Sequence, residues 1–282
     1  MQVRDLLTGA PTRSFEFFPP KTDAEAATLT ATIGELRDLE PSFVSVTYRG
    51  GRDSRQRTYD LVRAIQGDTG VTAMAHLICV GHTRAEIDEI LANYLAAGVT
   101  NIMALGGDLP DDPALQGGDF AHALELVNAC RAAGDFSIGV AAHPLGHPKS
   151  PSLERDRYYL AEKLAAADFA VTQFFFGAEE WASLAADLDE LGVTKPVLPG
   201  IMPVTALSSI ERMADMGAAV PEHVTRRLHA ADEQGGKAAV RDEGIAMATE
   251  LCQDLLAAGA PGLHFYTLNR STATREIYQA IF

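Results

Sequence analysis

Short apolar runs alternate with amphipathic segments along this chain. Eight runs are rich in β-branched and aromatic residues and have the length of strands; they span 14–18, 43–48, 71–80, 101–105, 137–142, 169–175, 197–204 and 262–268. Segments rich in Ala, Leu and Glu fall between them, at 23–39, 53–66, 84–97, 119–133, 152–167, 179–191, 205–258 with breaks, and 271–281. The pattern therefore predicts repeated strand–helix units.

Strict alternation of strands and helices indicates a parallel sheet. A chain of 282 residues with this number of units favours closure into a (βα)8 TIM barrel, a single catalytic domain over residues 1–282. Pro221 and Gly235-Gly236 interrupt the longest helical segment, so we expect extra helices between strands seven and eight. An open, doubly wound sheet is the alternative. The first strand is not followed by Gly-x-Gly-x-x-Gly, which counts against a dinucleotide-binding sheet of that type.

Charge and composition narrow the class of partner. The chain has 38 acidic and 23 basic residues and a formal charge of -15, which opposes binding to nucleic acid or to an anionic membrane surface. No apolar run approaches the roughly 20 residues that span a bilayer, and residues 1–12 lack a signal-peptide core, so we expect a cytoplasmic protein. The three cysteines are far apart and indicate reduced, buried thiols. No metal site is expected, because His143 and His147 lie on a Pro- and Gly-rich loop without a third ligand nearby.

Glu16 is the most unusual residue of the first strand. It lies between Phe15 and Phe17 and is followed by Pro19-Pro20, which end the strand. Successive strand side chains point to opposite faces, so Glu16 points away from both rings. Burial of a carboxyl group favours its protonated form, which suits a general acid. The alternative of equal weight is a Glu paired with Arg or Lys that holds the strand end in place.

Polar residues recur where the predicted strands end. They are Glu16, Thr47, His76, Gly107-Asp108, His143, Gln173 and Tyr266 through Arg270. The carboxyl ends of all strands meet at one face of a barrel, so we expect these residues to line one site. Asp108, taken alone, is also typical of an ordinary turn.

Six motifs, in this order along the chain, resemble those of bacterial methylenetetrahydrofolate reductases. They are residues 15–20 (FEFFPP), 43–48 (FVSVTY), 107–110 (GDLP), 172–176 (TQFFF), 199–204 (PGIMPV) and 264–270 (HFYTLNR). The resemblance runs from about residue 13 to 281. It implies a barrel that holds FAD at its carboxyl face and accepts electrons from NADH or NADPH. The implied reaction reduces 5,10-methylenetetrahydrofolate to 5-methyltetrahydrofolate for methionine synthesis, in a homo-oligomer.

The resemblance also implies residue roles. Glu16 would protonate N10 of the folate and so open its five-membered ring to an iminium that accepts hydride. Asp108 would lie near the flavin and the pterin, and Gln173 would contact folate and nicotinamide. Tyr266 and Arg270 would lie on the folate side. The positions implied for FAD are Thr47, His76, Gly107, Asp108, Ala141, His143, His147, Asp156 and Lys163.

Some positions depart from the family pattern. Gly106 stands where the family commonly has an arginine, and Arg49 or Arg52 are the candidates to replace that charge. Ser209 and Met213 stand where other members carry a Gln and a stacking Phe for the nicotinamide, which leaves the choice between NADH and NADPH open. Two alternatives therefore accompany the flavin-dependent reductase: a flavin-free reductase on the same barrel, and a folate- or flavin-binding barrel without turnover.

Overall fold

Parallel strands pair in chain order and close into a barrel. The computed structural model describes residues 1–48, 52–108 and 117–282, with backbone alone at 52–54. Within these residues the strands are β1 (Thr12–Phe17), β2 (Phe43–Val46), β3 (Ala73–Ile78), β4 (Asn101–Leu105), β5 (Ser137–Ala142), β6 (Phe169–Phe174), β7 (Val197–Ile201) and β8 (Gly262–Tyr266). Each strand pairs with the next, and β8 pairs with β1, so the predicted (βα)8 barrel is confirmed.

Helices precede, connect and follow the strands. They are α1 (Val3–Leu6), α2 (Asp23–Arg37), α3 (Arg52–Ala64, followed by a π-helical turn at Ile65–Thr69), α4 (Arg84–Ala96), α5 (Ala123–Ala133), α6 (Leu153–Ala166), α7 (Ala178–Glu190), α8 (Ser209–Asp215), α9 (Glu222–Ala257) and α10 (Thr272–Ile281). The predicted extra helices between strands seven and eight are α8 and α9, and α9 is broken at Gly235-Gly236 as expected. Among the described residues, no helix is both long and apolar enough to cross a membrane.

Helix α1 was not predicted, because a helix of four residues carries no periodic pattern. It lies beneath the amino ends of the strands. The amide of Val3 donates to Asn101 Oδ1 at 2.8 Å, and the amide of Arg4 donates to Ser137 Oγ at 2.9 Å. These two bonds satisfy polar groups at the start of β4 and β5 and close the lower end of the barrel.

The barrel has two apolar layers. The outer layer lies between the strands and the helices and includes Phe15 and Phe17. The inner layer fills the barrel itself and is formed by Val3, Phe43, Met74, Met103, Phe169, Val171 and Leu198. These inner residues sit toward the amino ends of the strands, so the apolar filling forms a floor. Polar inward-facing side chains lie above it, at the carboxyl ends.

Helix α9 packs close to the segment that follows β7. A Cβ atom at Gly244 would overlap the carbonyl oxygen of Val204, so no side chain fits at this contact. Gly34, on the exposed side of α2, has no atom within 4 Å of the corresponding position. The two helical glycines therefore differ in the space around them.

We expect Gly244→Ala to destabilise the fold by about 1–3 kcal/mol, because the helix must move away from Val204. Gly34→Ala is the matched control and should stabilise the fold by about 0.5–1 kcal/mol, since alanine favours the helix. Urea denaturation midpoints measure both changes. Equal stability of Gly244→Ala and the unsubstituted protein would contradict the close contact.

Candidate functional site

Glu16 points into the barrel above the apolar floor, opposite to Phe15 and Phe17. The residue is 6% exposed, and three groups converge on Oε2. Ser45 Oγ on β2 lies at 3.5 Å, His76 Nε2 on β3 at 3.4 Å and His264 Nε2 on β8 at 3.5 Å. Among the described residues, neither Arg nor Lys pairs with Glu16. These residues therefore do not form the alternative arrangement, an ion pair of Glu16 with Arg or Lys at the strand end.

His264 links Glu16 to a deeper polar residue. Its Nδ1 lies 2.8 Å from Ser14 Oγ, which is also 3.2 Å from the carbonyl oxygen of Leu263. Strand pairing explains the contact, because Ser14 lies opposite His264 in the β1–β8 register and Glu16 opposite Tyr266. Side chains two residues apart share one face of a strand, so these four residues meet inside the barrel.

Burial keeps two neighbours of Glu16 uncharged. It lowers the pKa of His76, an effect that the Glu16 carboxyl partly offsets. Burial and then the Glu16 charge raise the pKa of Tyr266 well above its ordinary value. Near neutral pH these groups are therefore an imidazole and a phenol. The Tyr266 hydroxyl donates to the carbonyl oxygen of Thr172 at 2.6 Å.

The segment after β8 is fastened to the end of β1. Thr267 Oγ1 donates to the carbonyl oxygen of Glu16 at 2.6 Å. The Asn269 side chain accepts from the amide of Phe18 at 2.7 Å and donates to its carbonyl oxygen at 2.8 Å. Asn269 has a φ of 59°, a left-handed conformation that asparagine tolerates better than most residues. Arg270 is exposed beside this junction.

Gln173 bridges the end of β6 and the C-terminal end of α8. Its Nε2 donates to the carbonyl oxygen of Met216 at 2.8 Å, and its Oε1 accepts from the amide of Phe174 at 3.0 Å. Met213 of α8 is buried in an apolar cluster with Phe174. The side chain at this position is therefore part of the packing beneath α8.

A second polar group lies at the ends of β4 and β5. Lys163 Nζ donates to the carbonyl oxygen of Ala141 at 2.8 Å, and burial lowers the pKa of Lys163. The buried Asp156 accepts from Ser150 Oγ at 2.8 Å. Asp108 is almost fully exposed, with Lys149 Nζ at 3.5 Å.

The loop after β5 carries two histidines in contact. The rings of His143 and His147 are perpendicular, with centroids 4.7 Å apart. Burial, and next the proximity of His147, lower the pKa of His143 to about 4. The buried Arg157 holds this loop by donating to the carbonyl oxygens of His143 at 2.9 Å and Pro144 at 2.6 Å. Its Nε donates to Asp187, so the guanidinium also joins the loop to α7.

The predicted residues thus form several groups. Glu16, His76 and Tyr266 lie together in the barrel mouth, whereas Ala141, His143, His147, Asp156 and Lys163 surround the end of β5. Thr47 bonds the carbonyl oxygen of Phe17 through its amide, and Gly107 has a φ of 86° at a position where a Cβ would crowd Ile78 and Val80. Asp108 and Arg270 lie on separate loops, and Gln173 lies at the end of β6. Arg49 and the side chain of Arg52 fall outside the described residues.

Sequence reasoning did not single out Ser14, Ser45, His264 or Arg157. A signal for two of them existed: Ser14 precedes Glu16 by two residues, and His264 precedes Tyr266 by two. Each pair therefore shares a strand face. In the described part of the chain, no group of three or more His, Cys, Asp or Glu is arranged to hold a metal ion.

The chain is a closed (βα)8 barrel with a buried acid at the carboxyl ends of its strands. This is where barrel enzymes have their active sites, so the arrangement is typical of that class of protein. The family model of methylenetetrahydrofolate reductase matches residues 2–281. The chain therefore belongs to the methylenetetrahydrofolate reductase family and is an oxidoreductase, as the six motifs predicted.

Individual relatives agree with the family. The chain is 36% identical over 273 residues to 5,10-methylenetetrahydrofolate reductase of Pectobacterium carotovorum subsp. carotovorum. This match covers 96% of this chain and 90% of the relative. It is 35% identical over 266 residues to that of Escherichia coli K12, covering 94% and 88%. A Clostridium thermocellum structure described as binding two copies of 5-methyl-5,6,7,8-tetrahydrofolic acid has a TM-score of 0.68 at 12% identity. The match covers 99% of this chain and 97% of that one and supports the fold alone.

The depressed pKa of His143 predicts a loss of stability in acid. An unfolded imidazole binds a proton below its ordinary pKa of 6.5, but the folded one does so only near 4, so stability falls as the pH drops through this window. At pH 5 the loss should be about 1–2 kcal/mol. His143→Phe should remove it, whereas His229→Gln, on the exposed face of α9, should not. Melting temperatures at pH 7 and pH 5 compare the variants, and an identical acid loss in both would contradict the buried imidazole.

Proposed function

We propose that this chain reduces 5,10-methylenetetrahydrofolate to 5-methyltetrahydrofolate with electrons from NADH or NADPH, bound FAD as the carrier and Glu16 as the general acid. The observation that carries the proposal is the Glu16 carboxyl, buried at the barrel mouth among Ser45, His76 and His264. Membership of the family supplies the reaction.

Glu16 is suited to deliver a proton to N10 of the folate. A permanently charged Arg or Lys at this carboxyl would favour its ionised form, and among the described residues neither is paired with it. Its three partners instead include a hydroxyl group and imidazoles, which can either donate or accept. The carboxyl can therefore carry a proton in one state and release it in another without losing its hydrogen bonds.

The residues around β4 and β5 fit a dinucleotide cofactor with a diphosphate. Lys163 is largely buried and donates to a neutral carbonyl oxygen, so its charge is available to an anion, while Asp156 can accept from ribose or adenine. Gly107, Ala141, His143 and His147 line the same loops, and Thr47 and His76 lie at the neighbouring strand ends. When bound here, FAD would take hydride from NAD(P)H and pass it to the folate.

The remaining predicted residues suit the folate. Arg270 is exposed next to the junction of β8 and β1, where a guanidinium can bind carboxylates of the glutamyl tail. Tyr266 lies between Glu16 and Thr172, and Gln173 offers an amide at the end of β6. The exposed carboxylate of Asp108 would favour positive charge that develops on the folate during ring opening.

We also propose how the chain is organised and where it acts. Residues 1–282 form one catalytic domain, the chain assembles into a homo-oligomer, and the protein acts in the cytoplasm. Light scattering after size-exclusion chromatography tests the assembly.

Glu16→Gln should keep NAD(P)H-driven flavin reduction and lose folate reduction by about 100-fold or more, because only the second half-reaction needs the proton. Stopped-flow absorbance under anaerobic conditions measures each half-reaction separately. Glu89→Gln, on the exposed side of α4, is the matched control and should change neither. Undiminished folate reduction by Glu16→Gln would rule out its role as the acid.

Lys163→Met should lower the FAD content of the purified protein, because the buried charge near the end of β5 is lost. Lys195→Met, at an exposed lysine before β7, is the control and should retain FAD. An absorbance scan followed by anaerobic bleaching with NADH measures bound flavin.

The unsubstituted protein distinguishes the two alternative functions. A flavin-free preparation with full turnover would favour the flavin-free reductase, and folate binding without turnover under any donor would favour the non-catalytic barrel.

A further inference from the structure

A line of buried polar groups runs from Glu16 through His264 to Ser14. Nε2 of His264 faces Glu16 Oε2 at 3.5 Å, and Nδ1 faces Ser14 Oγ at 2.8 Å. Ser14 and His264 are 0% and 1% exposed, so water does not compete for these bonds. A neutral imidazole has one donor and one acceptor nitrogen, and its tautomer must match what its two neighbours offer.

When Glu16 is ionised, its oxygen can only accept. His264 must then carry its hydrogen on Nε2 and donate to Glu16, which leaves a lone pair on Nδ1. Ser14 satisfies this lone pair by donating its hydroxyl hydrogen at 2.8 Å. Every group in the line has a partner in this state.

When Glu16 is protonated, its hydroxyl can donate to Nε2 of His264. The imidazole hydrogen then sits on Nδ1 and is donated to Ser14 Oγ. Ser14 turns its own hydrogen toward the carbonyl oxygen of Leu263, which lies at 3.2 Å. The imidazole carries one hydrogen in both states. The states differ by the single proton on Glu16, which comes from solvent and would leave to N10 of the folate.

We propose that Ser14 and His264 form a tautomer switch that keeps Glu16 hydrogen-bonded in both of its charge states. Both are positioning residues that act through Glu16, and the inference rests on the proposed role of Glu16 as the acid. It extends that role by naming the groups that allow the buried acid to take up a proton again after it has released one.

The other groups that face Glu16 do not compete for this function. Ser45 from β2 offers a hydroxyl group, which does not titrate. On β3, burial lowers the pKa of His76, so it is already neutral near pH 7. On β8, burial and the Glu16 charge raise the pKa of Tyr266, which therefore stays a phenol. Ser45, His76 and Tyr266 therefore all stay uncharged near neutral pH.

Ser14 is needed because a hydroxyl can both donate and accept. Without it, the ionised state leaves an unpaired lone pair on Nδ1, whereas the protonated state leaves an unpaired buried N–H. A buried N–H without a partner is the rarer and more costly of the two defects. Ser14→Ala should therefore favour the ionised form of Glu16 and reduce its capacity to hold a proton.

Nitrogen NMR of the purified protein with ¹⁵N-labelled histidine tests the switch without any variant. His264 signals are identified by their loss in His264→Gln. We expect the hydrogen of His264 on Nε2 at high pH and on Nδ1 at low pH, with the change following the pH dependence of folate reduction. A single tautomer throughout that range would overturn the proposal.

The pH dependence of the folate half-reaction gives a second test. Ser14→Ala should move the profile about one unit to lower pH and slow folate reduction about tenfold near pH 7, with flavin reduction by NAD(P)H unchanged. Ser137→Ala is the matched control: it removes another buried strand hydroxyl, one that accepts from the amide of Arg4, and should leave the profile in place. Ser14→Thr retains the hydroxyl and should restore the profile.

The outcomes separate the switch from the function on which it rests. A profile in Ser14→Ala equal to that of Ser137→Ala would overturn the switch, as would a shift in Ser14→Thr equal to that in Ser14→Ala, which would indicate packing. If the Ser14 variants give one of these results but Glu16→Gln abolishes folate reduction, the switch fails while the proposed function stands. If Glu16→Gln still reduces the folate, the proposed function itself fails.

Discussion

The buried carboxyl group of Glu16 is the constraint on which the site depends. A carboxyl group inside a protein is costly unless hydrogen-bonding groups replace the water it has lost. Closure of the barrel supplies those groups from different strands: Ser45 from β2, His76 from β3 and His264 from β8. The same closure places Phe15 and Phe17 in the outer core, so one short strand contributes both to packing and to chemistry.

Along the barrel axis, the residues that stabilise the fold and those suited to chemistry occupy different halves of the interior. Aromatic and aliphatic side chains from β2, β3, β4, β6 and β7 fill the lower half, and α1 closes the lower end through Val3 and Arg4. Polar side chains occupy the upper half, where substrates can enter. Gly200 makes space for one of these polar side chains, because a Cβ there would collide with the ring of Tyr266. The small residue on β7 leaves room for the large one on β8.

The loops at the mouth are held by buried polar contacts from elsewhere in the chain. Arg157 of α6 binds two carbonyl oxygens of the loop that carries His143 and His147. Asn269 fastens the loop after β8 to Phe18 at the end of β1. These contacts fix backbone positions rather than touching a ligand. They explain how irregular segments can present side chains with a defined geometry, which binding and proton transfer require.

The sequence by itself determined the alternation of strands and helices, the interruption of α9 and the direction of Glu16 away from Phe15 and Phe17, because these follow from local periodicity and from the turn residues. It favoured a closed barrel over an open sheet, and the pairing of β8 with β1 decided between them. It also carried the family motifs. Only the tertiary structure decided what Glu16 touches. Ser14 and His264 are distant in the chain and meet because β8 closes the barrel against β1 in one particular register. The burial that lowers the pKa of His143 likewise depends on how the loop after β5 folds over α6. Strand register and loop packing are set by the whole assembled barrel, so no local pattern could reveal these contacts.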